Sequence, residues 1–291
     1  MNSKLSMITS MLIFGTIGIF VEYINMPSGV IAAVRGFVGA AIIFLFMLIT
    51  RQRFDFAAIR KNLILLIASG AAIGFNWILL FEAYNKAGVP VATVCYYMAP
   101  IFVIVVSPFL LKERLSAKKV VCVAVALVGM MLVAGLFNSG TANLGGILLG
   151  LGAAALYASA IIMNKFLGEL SAYEKTLIQL LVAAITVTPY AAIAGGEIDL
   201  RPVAIAMLAI VGIVHTGIAY TLYFGSMKKL KAQNVAILSY IDPASAIILS
   251  MIIAAILSKP LPAVTEIVGA VLIIGAAFVS EVSFKKKNEQ N

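Results

Sequence analysis

A chain of 291 residues with 63% hydrophobic and only 11% charged side chains has too little polar surface for a water-soluble domain, which carries roughly 25% charged residues. Its net charge of +9 would suit a nucleic-acid partner, but the placement of the charges, set out below, assigns it to membrane orientation instead. No phosphate-loop, zinc-protease or Rossmann pattern occurs, so the sequence reads as neither an enzyme nor an ATPase.

A spanning helix needs roughly 20 largely apolar residues. The apolar pattern predicts an all-α, polytopic membrane protein of ten such helices, at 5–22, 29–50, 62–82, 88–111, 118–136, 145–164, 174–194, 203–226, 232–257 and 264–282. The first follows Lys4 without a small-x-small cleavage site and is expected to be a retained span. Turn chemistry separates later spans at Pro27-Ser28-Gly29, Asn138-Ser139-Gly140 and Gly195-Gly196. The apolar run from Val120 to Asn164 must hold two helices, because one helix of that length would overshoot a hydrocarbon core of about 30 Å. Cys95 and Cys122 fall inside apolar runs and read as small buried hydrophobes. Gly70-x-x-x-Gly74 and Gly146-x-x-x-Gly150 permit close helix approach.

With the N-terminus inside, one face of the bilayer collects Lys4, the Arg51–Lys61 cluster, the Lys112–Lys119 cluster, Lys165, Lys175, Lys228, Lys229, Lys231 and Lys285 to Lys287. The other face receives only Lys86, Arg201 and Lys259, while Arg35 lies within a span. That split supports ten helices with both termini cytoplasmic, as expected of a multi-pass plasma-membrane protein.

Tyr96-Tyr97-Met98-Ala99-Pro100 is matched by Ser239-Tyr240-Ile241-Asp242-Pro243. At the same offset Phe81 pairs with Phe224 and Lys86 with Lys229. At nearby offsets Arg35 pairs with Gln179, Leu115 with Leu261 and Val128-Gly129 with Ile274-Gly275. Their order argues for a duplication, with five-helix repeats at 1–137 and 138–291. Five is odd, so the second repeat enters the membrane inverted, and a substrate site is expected near the midplane between the halves.

These motifs carry a resemblance to the EamA branch of the drug/metabolite transporter superfamily. The residues concerned are Arg35 in helix 2, Phe81 to Ala87 leading into helix 4, Pro100, and Lys112-Glu113-Arg114-Leu115 before helix 5. Tyr223 to Ala232, Pro243 and Ser258-Lys259-Pro260-Leu261 repeat the pattern. Lys259 stands where that family often has glutamate, which weakens any symmetric role for Glu113. The resemblance implies transport, most often export, of amino acids or related metabolites.

Ionisable groups within spans are costly and usually face a bundle interior or a wet cavity. Asp242, before Pro243 and near mid-membrane, reads as a coupling or amine-binding acid, or as a carboxylate that repairs a broken helix. His215, the single histidine, reads as its proton-coupling partner or as a neutral imidazole bonded to a hydroxyl or carbonyl. Asn76, Trp77 and Glu82 share helix 3; Trp77 also fits an interfacial anchor, and Glu82 a cation-attracting acid at the outer mouth. Arg35 would hold a substrate carboxylate, or be neutralised by Glu22 or Glu82. Tyr96, Tyr97, Tyr157 and Tyr240 suit amphipathic ligands, with Tyr220 and Tyr223 on helix 8, although core packing is the ordinary use of each.

The expectation is a secondary carrier for small polar or amphipathic metabolites such as amino acids, working by alternating access with proton coupling or exchange. The alternative is an importer of organic cations such as quaternary amines. The expected partners are a small-molecule substrate, the bilayer and protons, without nucleic acid, metal or cofactor; a homodimer is left open.

Overall fold

A computed structural model describes residues 2–133, 143–257 and 263–281, and every regular element among them is a helix. The turn at Asn138-Ser139-Gly140, the boundary at 137/138, the Ser258-to-Leu261 motif and Lys285 to Lys287 lie outside the described residues.

The chain enters α1 (Ser3–Val21) under a cap from the Asn2 side chain to the Lys4 N–H, turns at Pro27 and returns along α2 (Ser28–Ile49). A short α3 (Phe56–Lys61), capped by Asp55, leads into α4 (Leu63–Tyr96). The connection expected at 83–87 is helical instead. The turn contracts to Gly88, whose φ of 77° and ψ of 159° lie in a region only glycine occupies comfortably. α5 (Ala99–Leu110) and α6 (Ala117–Val133) follow. The second part opens with α7 (Leu144–Phe166) under an Asn143 cap, and α8 (Ala172–Ala194) under a Ser171–Glu174 capping box. Next come α9 (Pro202–Ile210), a π-helical segment (Val211–Ile218) and α10 (Ala219–Ser226), then α11 (Ala232–Leu238), α12 (Ile241–Leu257) and α13 (Val264–Glu281).

Eight segments are long and apolar enough to cross a membrane. They are Ser3–Val21, Ser28–Ile49, Leu63–Gly88, Val91–Leu110, Leu144–Phe166, Ala172–Ala194, Pro202–Ser226 and Ala232–Leu249. The fifth and tenth predicted spans correspond to α6 and α13, apolar helices whose described lengths fall below that mark. The protein is thus a polytopic, all-helical membrane protein with eight spans of full length among its described residues.

Two expected long helices are broken before their prolines. Tyr97 and Met98 separate α4 from α5 ahead of Pro100, and Ser239 and Tyr240 separate α11 from α12 ahead of Pro243. Proline lacks an N–H and its ring clashes with the preceding turn, so both breaks follow from the sequence. The breaks meet: the Tyr97 and Tyr240 rings stack at 5.8 Å, and Tyr240 Oη donates to the Tyr97 carbonyl at 2.8 Å.

Small residues set the helix contacts. A Cβ at Gly70 would lie 2.7 Å from Val182 and one at Gly74 2.7 Å from Thr186, so α4 runs hard against α8. Gly146 and Gly150 give α7 the same intimacy with α4 at Ala87 and Cys95. α6 and α13 cross at Gly129, where an added Cβ would stand 2.7 Å from the Gly269 carbonyl oxygen. Without a hydrophobic drive between helices in lipid, such close contact is what holds them together.

Candidate functional site

The helix ends sort into two faces. One carries the connections 50–62, 111–116, 167–171 and 227–231 and most of the lysines; the other carries the α1–α2 turn, Gly88 and Arg201. A cavity of about 740 Å³ reaches inward from this second face. Its rim includes Val21, exposed Ser28, Tyr84 and Val133, and its depth is lined by Tyr157, Tyr223 and Asp242.

Arg35 projects from α2 into the cavity, with its guanidinium 4.3 Å from the centroid of the Trp77 ring on α4. Its Nε is buried without a hydrogen-bond partner. Among the described residues no carboxylate pairs with it; Lys61–Glu169 and Arg201–Asp199 are ion pairs elsewhere. A desolvated cation–π contact contributes about 2 kcal/mol or somewhat more, whereas removing a charge from water costs several. Arg35 therefore needs the remainder from water or from an anion entering the cavity. Trp77 is 5% exposed and serves this cavity rather than a membrane interface.

Asp242 opens α12 at its break, where Gly15 of α1 makes room: a Cβ there would lie 2.6 Å from the Asp242 carbonyl oxygen. The carboxylate accepts from Tyr97 Oη at 3.3 Å. From Tyr97 a run of rings crosses the cavity wall. Tyr97 meets Tyr96 edge-on, Tyr96 stacks on Tyr157 at 5.5 Å, and Tyr157 stacks on Tyr223. The Tyr157 and Tyr223 hydroxyls share a hydrogen bond of 2.6 Å. Tyr220 then meets both Tyr223 and Trp77 edge-on. The cavity lining thus offers a guanidinium, a carboxyl group and a ladder of amphipathic rings.

The structure brings together Arg35, Trp77, Tyr96, Tyr97, Tyr157 and Asp242. Tyr220 and Tyr223 line the cavity as well, whereas Asn76, Glu82, Tyr240 and His215 do not. The Asn76 amide donates to the Ala153 carbonyl at 2.6 Å and ties α4 to α7. Glu82 accepts from Tyr190 Oη on α8 at 2.7 Å. Tyr240 is fully buried behind Tyr97. His215 sits in the π-helical segment against Phe20, with Nε2 2.8 Å from Thr16 Oγ1. The Thr16 hydroxyl also lies 2.7 Å from the Ile13 carbonyl, so Thr16 ties the imidazole to the backbone of α1. Asp242 and His215 thus have separate partners, Tyr97 and Thr16.

Sequence reasoning missed Phe14, Ile17, Gly18 and Val21 of α1, and Tyr84 and Thr93, all on the cavity wall. The α1 residues recur at helical spacing and form one face, but none is ionisable, so nothing in the sequence set that face apart. Among the described residues no group of three His, Cys, Asp or Glu side chains could hold a metal.

The model of the EamA-like transporter family matches residues 2–135 and 144–281 of this chain. A curated relative from Bacillus subtilis (strain 168), named an uncharacterized transporter, YxxF, is 30% identical over 254 residues, which cover 86% of this chain and 81% of the relative. A crystal structure at 17% identity superposes with a TM-score of 0.84 over 96% of both chains; at that identity the likeness speaks for the fold alone.

Proposed function

Because this chain belongs to the EamA-like transporter family, and is a membrane transporter rather than an enzyme, we propose that it is a secondary carrier exporting small zwitterionic or amphipathic metabolites such as amino acids. The observation that carries this reading is the presence of Arg35 and Asp242 on one aromatic-lined cavity. Arg35 takes the substrate carboxylate, with its planar fork suited to two parallel hydrogen bonds. Asp242 takes the amine or a proton, and the tyrosines cover the apolar part.

Transport proceeds by alternating access between two five-helix halves, residues 1–137 and 138–291, inverted relative to each other. Reciprocal packing supports that layout. α2 lies against α8 and α6 against α13, while the contact of α4 with α7 has its counterpart in α10 and α12 against α1. The two helix breaks meeting at Tyr97 and Tyr240 fit a site between inverted halves. Both termini are cytoplasmic in this reading, which follows from the crowding of lysines at one face, and the membrane is the plasma membrane.

Asp242 is the coupling residue: it binds a proton in one orientation and releases it in the other. His215 acts on α1 through Thr16 rather than on Asp242 directly. Import of organic cations is the second reading, supported by Asp242 beside stacked rings; the free guanidinium of Arg35 in the same space weighs against it. In proteoliposomes, Asp242→Asn should abolish uptake driven by a pH gradient. Gradient-driven uptake at the unmutated rate would remove Asp242 from coupling.

A further inference from the structure

The cavity ends at Tyr157 and Tyr223, and the bundle beyond them is closed toward the lysine-rich face. Two layers close it. The first is a plug in which Met7, Met11, Met47 and Met227, each at most 1% exposed, pack with Leu230 and Phe224. Unbranched thioether side chains fill irregular gaps and repack readily, which suits a contact that has to form and dissolve.

The second layer is polar and surrounds the turn between α10 and α11. Three side chains of residues 1–133 hold α11. The Glu113 carboxylate accepts from the Ala232 N–H at 2.7 Å and the Gln233 N–H at 3.3 Å. Ser107 Oγ accepts from Gln233 Nε2 at 2.9 Å, and Lys119 donates to Asn234 Oδ1. On the near side of the turn, Lys165 donates to the carbonyls of Met227 and Leu230, and buried Lys175 donates to that of Phe224.

Within this cluster Gln233 Oε1 is buried without a partner. An unmet buried acceptor opposes the strong charge-assisted bonds beside it. It would be satisfied once water entered. The closed arrangement therefore carries its own tendency to open.

We propose that the α10–α11 turn is the gate at the lysine-rich face, and that Glu113, with Ser107 and Lys119, is the latch that holds it shut across the two halves. This rests on the carrier reading above. When the cavity turns to the other face, α11 leaves Glu113, and the methionine plug separates from α10. Glu113 is a positioning residue here; it touches no cavity-lining atom of the site.

The test uses two reporters in a Cys95→Ala, Cys122→Ala background. Ser226→Cys replaces a 1% exposed hydroxyl in the plug that bonds to the Tyr223 carbonyl. Ser28→Cys marks the exposed rim. Membrane-impermeant maleimide is applied separately to the face bearing Lys61 and to the opposite face. Glu113→Gln keeps the shape and removes the charge. It should raise Ser226→Cys labelling from the Lys61 face about tenfold, the scale expected when a charge-assisted bond is lost from one of two states. Arg114→Gln, an exposed neighbour, should leave it unchanged, and Glu113→Asp should restore slow labelling.

Unchanged Ser226→Cys labelling in a Glu113→Gln protein that stays monodisperse would overturn the latch. If that labelling rises and Ser28→Cys labelling falls, both latch and alternating access stand. If Ser226→Cys labelling rises while Ser28→Cys labelling does not fall, the latch stands and the alternating-access reading fails.

Discussion

Arg35 stands over Trp77 with a buried, unpartnered Nε, and this makes the guanidinium, rather than any positive charge, the feature to test. Lysine would keep the charge but lose the planar fork and the fit to the ring. Arg35→Lys should therefore weaken apparent affinity for carboxylate substrates about tenfold in counterflow assays, with uncharged analogues little affected. Equal loss for both kinds of substrate would make Arg35 structural. Tyr157→Phe removes one hydroxyl of the 2.6 Å pair with Tyr223. It should cost about 1 kcal/mol of stability, read as a lower melting temperature in detergent. Outside the spans, the Arg201 guanidinium holds the Asp199 carboxyl well below the usual carboxylate range. A depressed carboxyl stabilises its surroundings above the unfolded-state value and loses that effect only as pH falls through the lowered one. Asp199 also accepts from the Asn25 N–H, so exchange of that amide, corrected for intrinsic rate, should be flat between about pH 3 and 5, where an unshifted carboxyl would titrate. A step in that interval would show that Arg201 does not control the carboxyl.

At the scale of elements, the backbone at Gly88 and the α6–α13 crossing are the tightest constraints. Gly88→Ala places a Cβ at φ 77° and ψ 159°, and should cost roughly 1–3 kcal/mol; unchanged thermal stability would show that this turn relaxes freely. Gly129→Val would force α6 off the Gly269 carbonyl and should lower stability by at least as much. Much of this level was legible in the sequence. Pro243 marked one helix break, while the break before Pro100 lies inside a span that reads as continuous; the GxxxG spacings located two close contacts. The single-residue turn at Gly88 was not legible, because Tyr84 to Ala87 carry mixed polarity that a helix tolerates at a membrane surface. The π-helical segment left no trace, since Val211 to Ile218 have the same period as any apolar helix. Helical spacing also failed to say which face of α4 meets the cavity. Asn76 and Trp77 are adjacent, yet one serves the α7 contact and the other the site, and only the packing partners decide that.

For the whole molecule, the long apolar runs made a polytopic, all-helical membrane protein readable, because lipid imposes few solutions on a chain this apolar. The direction in which the cavity points was not readable: in the proposed carrier, two inverted halves would specify two related arrangements, with small differences in packing choosing between them. The proposal places that choice in the plug and in the contacts of Glu113, features with no distinctive sequence signal. The central claim is that Arg35 and Asp242 together bind one zwitterionic molecule in the cavity. Its most direct test is a thermal-stability screen of the detergent-purified protein against amino acids, their decarboxylated amines and quaternary amines. The account predicts stabilisation by one or more amino acids, absent for the corresponding amines and lost in both Arg35→Gln and Asp242→Asn. Stabilisation by the amines alone, or an amino-acid effect that survives both substitutions, would contradict it.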